Sequence, residues 1–377
     1  MTAQVAPTAF DPAATCQLLD CAAVVVGLAC NDAALVEFVD EYFHPWFRPA
    51  QRAVEVLVTV VSSKSTYVAA QAQFPADAEL QPCFAQDQQV MSLPASRSGN
   101  TTTVYDKERS CFLRFGPRRV ELIGDPSTRR WRFTLIWTLL EIAATRLRQT
   151  HVDLHAAAIE SAGRALLFPG PKNAGKTTLS FHLMGSRGCR LITNDRCFVS
   201  ATPPTTVLGS PTAIKIRPPT LARFPGLHDG LPPVARPYLY SSAELETAGP
   251  SAEPVDAVEF ALTPNQVALR LGTSTSPSAP LGVIVFPRIC DEVKTWTLEA
   301  MPVAETASAI RANLYGSSGR QRPATLFESL VEGVHFPSHD RITALAHGCR
   351  GHLLRLGHGA FADGTLGEQL LRLVTPP

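Results

Sequence analysis

The sequence predicts an α/β protein, α+β overall, with an N-terminal α+β module over residues 1–150 and a second α/β domain over residues 151–377. Three observations predict it. β-Branched runs of strand length alternate with helical spacing near the start of the chain. A glycine-rich loop joins an apolar strand to an amphipathic helix in the middle. A further buried-type strand, Leu281 to Phe286 (LGVIVF), lies near the end.

The elements follow in order. Ala22 to Ala29 (AAVVVGLA) and Val54 to Val61 (VEVLVTVV) read as strands, and Ala33 to Phe43 between them carries Leu35, Val36, Val39 and Phe43 at helical spacing. Residues Val68 to Gly99 are rich in Gln, Ala, Pro and Asp, so irregular connections are expected there. Cys111 to Ile123 reads as a hairpin turning at Gly116-Pro117, and a helix capped by Asp125 or Ser127 is expected from Ser127 to Gln149. His155 to Ile159 and Arg164 to Phe168 read as two strands around a four-residue turn, Glu160 to Gly163. On that pairing His155 faces Phe168, at the rim of the loop that follows. A helix from Lys176 to Met184, a turn at Gly185 to Gly188 and a strand Arg190 to Thr193 complete a βαβ unit with parallel strands. Pro203 to Pro280 is expected to hold loops and short strands. Val303 to Leu314 and Gly367 to Val374 read as helices and His352 to Leu356 as a strand.

Composition narrows the function classes. The 377 residues are 45% apolar and 18% charged, as in a chain that buries a core. Lys and Arg number 34 against 33 Asp and Glu, so no net field favours nucleic acid or an anionic membrane. The most membrane-like segment, Phe133 to Ala144, is interrupted by Glu141 and falls short of the roughly 20 apolar residues a span requires, which predicts a buried helix. Met1 to Asp20 lacks a basic region followed by an apolar stretch, so no signal peptide is expected. The nine cysteines show no paired spacing, and buried thiols in a reducing cytoplasm are expected.

Gly170-Pro171-Lys172-Asn173-Ala174-Gly175-Lys176-Thr177 fits the P-loop pattern G-x-x-x-x-G-K-[ST] without a mismatch. Glycines at 170 and 175 permit positive φ and bring loop N–H groups, those around Asn173 and Ala174 included, close to phosphate oxygens. The helix beginning at Lys176 turns its positive end to the same place. Lys176 then reaches the β- and γ-phosphates, Thr177 is a magnesium ligand and Thr178 contacts the α- or β-phosphate. The pattern therefore predicts ATP and Mg2+ as cofactors. A metal-bound triphosphate also needs an acid at the tip of a neighbouring strand, and Asp195 supplies one. His155 either accepts a proton from a hydroxyl substrate or binds phosphate, or is a structural histidine. Lys215, Arg217 and Arg288 are candidates to neutralise the transferring phosphoryl group, and Arg196 is a fourth.

The segment LHAAAIESAGRALLFPGPKNAGKTTLSFHLMGSRGCRLITNDRCFV, from Leu154 to Val199, resembles the catalytic core of the HPr kinase/phosphorylase family, which shares a fold with phosphoenolpyruvate carboxykinases. Gly209 to Pro218, Leu281 to Ile289, Glu305 to Leu314 and His352 to Gly359 are more weakly similar to HPr kinase-like relatives that accompany peptide modification or phosphorylate hydroxyl compounds. The resemblance implies a P-loop core and a serine or hydroxyl kinase. It places His155 at the catalytic histidine and Asp195 at the second acid of an Asp-Asp pair. The first acid is Asn194 here, and an amide cannot act as a base. His155, an acid from the C-terminal region or a transition state needing little proton removal are the routes that remain for transfer. A non-catalytic ATP-binding accessory protein in a peptide-modification pathway is the alternative. The expected partners are a nucleotide and a hydroxyl-bearing small molecule or peptide, with a homo-oligomer also compatible.

Overall fold

The computed structural model describes residues 15–20, 24–86, 89–186, 188–216, 218–227, 241, 244, 260–316, 324–330 and 339–375. Two large mixed sheets dominate it. Arg217 and residues 1–14, on which sequence expectations fall, lie outside the described residues.

The first sheet has nine strands, all drawn from residues before 125. Its parallel centre is Val25–Cys30, Val56–Ser62 and Arg119–Gly124. Helix Ala33–Phe43 links the first two, capped by the Asp32 side chain, which accepts from the Leu35 N–H. The expected irregular region is instead a helix, Lys64–Gln73, and two paired strands, Glu79–Gln86 and Gln89–Ser98, at the sheet's edge. Among the described residues, burial in that hairpin is confined to Cys83, Phe84 and Ala85 and to Ala95, so its strands show no apolar alternation, and Pro82 and Pro94 sit where an edge tolerates proline. The hairpin Cys111–Gly116 to Arg119–Gly124 turns at Pro117-Arg118, one residue later than expected, with Arg118 at φ 52°.

Helix Trp131–Leu147 starts later than expected, because Asp125 caps the preceding turn at Ser127 rather than the helix. It is buried nearly all round, as an apolar helix between two layers must be. Leu135, Leu139 and Ile142 join the core of the first sheet, while Ala144 and Leu147 pack on Phe198 of the second. Phe327, on the short helical turn Leu326–Leu330, also enters the first core, against Phe84 and Phe115.

The second sheet has eight strands. Two long ones bend through it. His151–Ser161 pairs with Arg196–Ser200 along its first half and with Arg164–Pro169 along its second. Ser278–Ile289, longer than the expected 281–286, pairs with Thr206–Ser210, then with Arg164–Pro169 and Gly351–Leu356. With Arg196–Ser200 bonded to Thr206–Ser210, the pairings close a five-strand circuit. Arg190–Thr193 adds to the outer edge of His151–Ser161. It runs in the same direction as Arg164–Pro169, as a βαβ unit requires, but His151–Ser161 lies between the two.

The turn of the central hairpin differs from expectation in a way that matters. Ser161 pairs with Arg164, so the turn has two residues, Ala162 (φ 51°) and Gly163 (φ 74°). Two consecutive positive φ values are what a tight hairpin uses to match strand twist. The register moves by two residues, and the His155 carbonyl meets the Gly170 N–H at 3.3 Å instead of lying opposite Phe168.

Candidate functional site

The loop Gly170 to Gly175 leaves the strand Arg164–Pro169 and enters the helix Lys176–Met184. Its positive φ values fall at Asn173 (71°) and Gly175 (91°), not at Gly170. Gly170 is needed for closeness: a Cβ there would stand 3.0 Å from the Ala174 Cβ. Gly175 serves both ends, since a Cβ would also press on Ile289 and Leu356 at 3.3 Å. The loop thus sits over the carboxyl ends of Ser278–Ile289 and Gly351–Leu356. Thr177 and Thr178 in the first helical turn are partly exposed.

Lys176 folds back over the loop. Its Nζ donates to the Gly170 carbonyl at 2.7 Å and the Pro171 carbonyl at 3.0 Å, and stands 3.1 Å from His155 Nε2. That nitrogen is also 3.2 Å from Asp195 Oδ1. Lys176, His155 and Asp195, distant in sequence, therefore form one row. Backbone pairing produces it: Thr193 lies opposite Ala158 and Arg196 opposite His155, and the strand edge between them is interrupted at Asn194 and Asp195.

His155 is 2% exposed, whereas Asp195 keeps 31% of its side-chain surface open. Burial acts to raise the Asp195 pKa, but the hydrogen bond from His155 and the charges of His155, Lys176 and Arg196 outweigh it and hold the carboxyl below its ordinary range. An ionised, partly exposed carboxylate has the chemistry of a Mg2+ ligand, an ion that takes one or two protein oxygens and fills its shell from water and phosphate. Among the described residues no group of three or more His, Cys, Asp or Glu side chains offers an all-protein metal cage. Asn194 is 9% exposed and its Oδ1 is buried without a hydrogen-bond partner.

Arg196 takes no part in the row. Its guanidinium turns inward to Asp153 (2.8 and 3.0 Å) and Glu141 (2.6 Å), and Arg148 binds the same two carboxylates at 2.9 and 3.1 Å. Two plus two charges cancel, with every member at most 5% exposed. Burial acts to lower the Arg196 pKa, and the neighbouring Asp153 and Glu141 reverse this and carry it well above its usual value. Lys215 lies exposed on Ile214–Ile216 and Arg288 exposed on Ser278–Ile289. No contact of either with the row is observed.

Sequence reasoning missed Tyr315. Its hydroxyl reaches Asp195 Oδ2 at 3.4 Å and its ring covers the Arg196 guanidinium at 4.2 Å. It arrives because Leu314 bridges Leu154 and the Tyr315 N–H donates to the Asp153 carbonyl. No motif surrounds it. Compared with known proteins, the chain matches no protein-family model and no curated protein.

Proposed function

We propose that the protein is an ATP-dependent kinase with a P-loop core of the HPr kinase and phosphoenolpyruvate carboxykinase type, transferring the γ-phosphoryl group to a serine or other hydroxyl of a small molecule or peptide. The observation that carries this reading is the row Lys176, His155 and Asp195 beneath a glycine loop that opens a helix. Loop N–H groups and the Lys176 ammonium would hold the β- and γ-phosphates. Mg2+, bound at Asp195 and Thr177, would supply charge neutralisation of those phosphates. The acceptor oxygen bonds to the γ-phosphorus as the bond from that phosphorus to the β–γ bridging oxygen breaks, leaving ADP. The hydroxyl proton departs late, in keeping with a loose transition state, to the Asp195–His155 pair.

Asn194 supports a second reading, a nucleotide-binding accessory protein without transfer, because its side chain cannot accept that proton. One experiment separates the two. The purified protein is incubated with γ-labelled ATP, Mg2+, free serine and an extract of the source cell. Label moving to a hydroxyl acceptor, and stopping in Lys176→Ala, supports the kinase. Saturable ATP binding with no acceptor labelled supports the accessory protein, and failure to bind ATP at all sinks both.

A further inference from the structure

A cavity of about 270 Å3 lies at the joint of the two sheets and shares no residue with the row. Phe47 and Trp46 from the first sheet's side, Leu140 and Leu147 from the long helix, and Phe198 and Leu208 from the second sheet line it. Small ligand sites are apolar concavities with a few polar groups at one end, and this volume is at the low end of their range. Arg48 and Asp20 supply the polar end, opposite each other in strand register. Arg48 is exposed and forms no ion pair among the described residues. Asp20, 32% exposed, accepts from Arg52 Nη2 at both carboxylate oxygens, 3.1 Å each, and each oxygen keeps a further lone pair.

A guanidinium and a carboxylate side by side over an apolar chamber complement a ligand with both charges at one end and a hydrocarbon body. We propose that this cavity binds a free apolar α-amino acid, aromatic ones best: Arg48 takes the α-carboxylate, Asp20 the α-ammonium, and the side chain enters between Phe47, Leu147 and Phe198. The site is independent of the nucleotide reading. It is nevertheless adjacent to the strand leading to Asp195, since Trp46 Nε1 donates to the Ile192 carbonyl at 3.0 Å behind the cavity wall.

Calorimetric titration of the full chain tests the proposal with phenylalanine, tryptophan and leucine, and with phenylpropionate and phenethylamine, which each lack one charge. Phenylalanine should bind saturably, and each single-charge analogue at least about tenfold more weakly, since each lacks one charge-assisted contact. Arg48→Ala, a surface change, should weaken phenylalanine by a similar factor, and Ala143→Phe, which fills the chamber, should abolish binding. ATP affinity is measured on the same proteins and should be unchanged in Arg48→Ala, so the two readings fail separately. Absence of saturable binding by all three amino acids up to about 10 mM, beyond any useful affinity, would overturn the proposal. So would equal affinity for phenylalanine and phenylpropionate, or for the Arg48→Ala and parent proteins.

Discussion

At Lys176 three contacts converge on one ammonium: two loop carbonyls and an imidazole. Replacing it by Ala removes the ammonium of the row, and nucleotide affinity is expected to drop at least about tenfold in a titration with ATP and Mg2+, given the strength of charge-assisted phosphate contacts. Asp195 gives a pH prediction. Its folded pKa lies below the unfolded value near 3.9, so its ionised form stabilises the fold above that value, and the contribution disappears as pH falls through the folded pKa. The melting-temperature difference between the parent and Asp195→Asn should therefore be flat from neutral pH to about 5 and shrink below about 4. A difference that stays constant as pH falls below the unfolded value would remove the ionised form from the account. The loop pattern fixes Lys176 and a strand end nominates Asp195, whereas a hairpin count places His155 near the loop only with a register two residues off. Tyr315 could not be picked from sequence, since a lone tyrosine after a helix is ordinary until a bridge at Leu154 carries it back.

Among elements, the strand Thr206–Ser210 and the long helix carry the sharpest tests. A Cβ on Gly209 would lie 2.2 Å from the Ile192 carbonyl oxygen and 2.6 Å from Trp46 Nε1. Backbone cannot step aside as a flexible side chain does, so Gly209→Ala should lower stability by about 1–3 kcal/mol in urea unfolding. Glu141→Gln should be more damaging, about 3–5 kcal/mol, because it leaves two buried guanidinium groups sharing Asp153 alone. Sequence alone treats Glu141 as a blemish in an apolar helix. Its partners are Arg148, which caps the same helix, and Arg196 on a strand farther along, and periodicity carries no information about either. The central hairpin shows the same limit on a smaller scale. Its strands were legible from apolar runs, but the register rested on turn length, and only the φ values of Ala162 and Gly163 settle that. The edge hairpin over 79–98 was illegible for another reason, its burial among the described residues being confined to one short stretch around Phe84 and to Ala95, which leaves no alternation.

Among the described residues the two halves are tied together by the buried quartet, Ala144 and Leu147 on Phe198, Trp46 on Ile192, Asn265 on the Glu41 and His44 carbonyls, and Phe327 in the first core. Such cross-links predict a single unfolding transition, with the near-ultraviolet and far-ultraviolet dichroism changing at the same denaturant concentration. A chain cut to residues 151–377 should be poorly soluble, since Phe198, Leu208 and the Asp153–Arg196 pair lose their cover. Among the described residues no helix is long and apolar enough to cross a membrane.

Phe327 has a consequence for biosynthesis. The nine strands of the first sheet leave the ribosome before those of the second, yet the aromatic plug between Phe84 and Phe115 belongs to a segment made after Ser278–Ile289 of the second sheet. Until it arrives, that half of the nascent polypeptide carries an open greasy slot. Domains usually mature in the order in which they are synthesised. Here the first sheet must wait for a segment that follows most of the second, and the interval between them is when chaperones have most to hold.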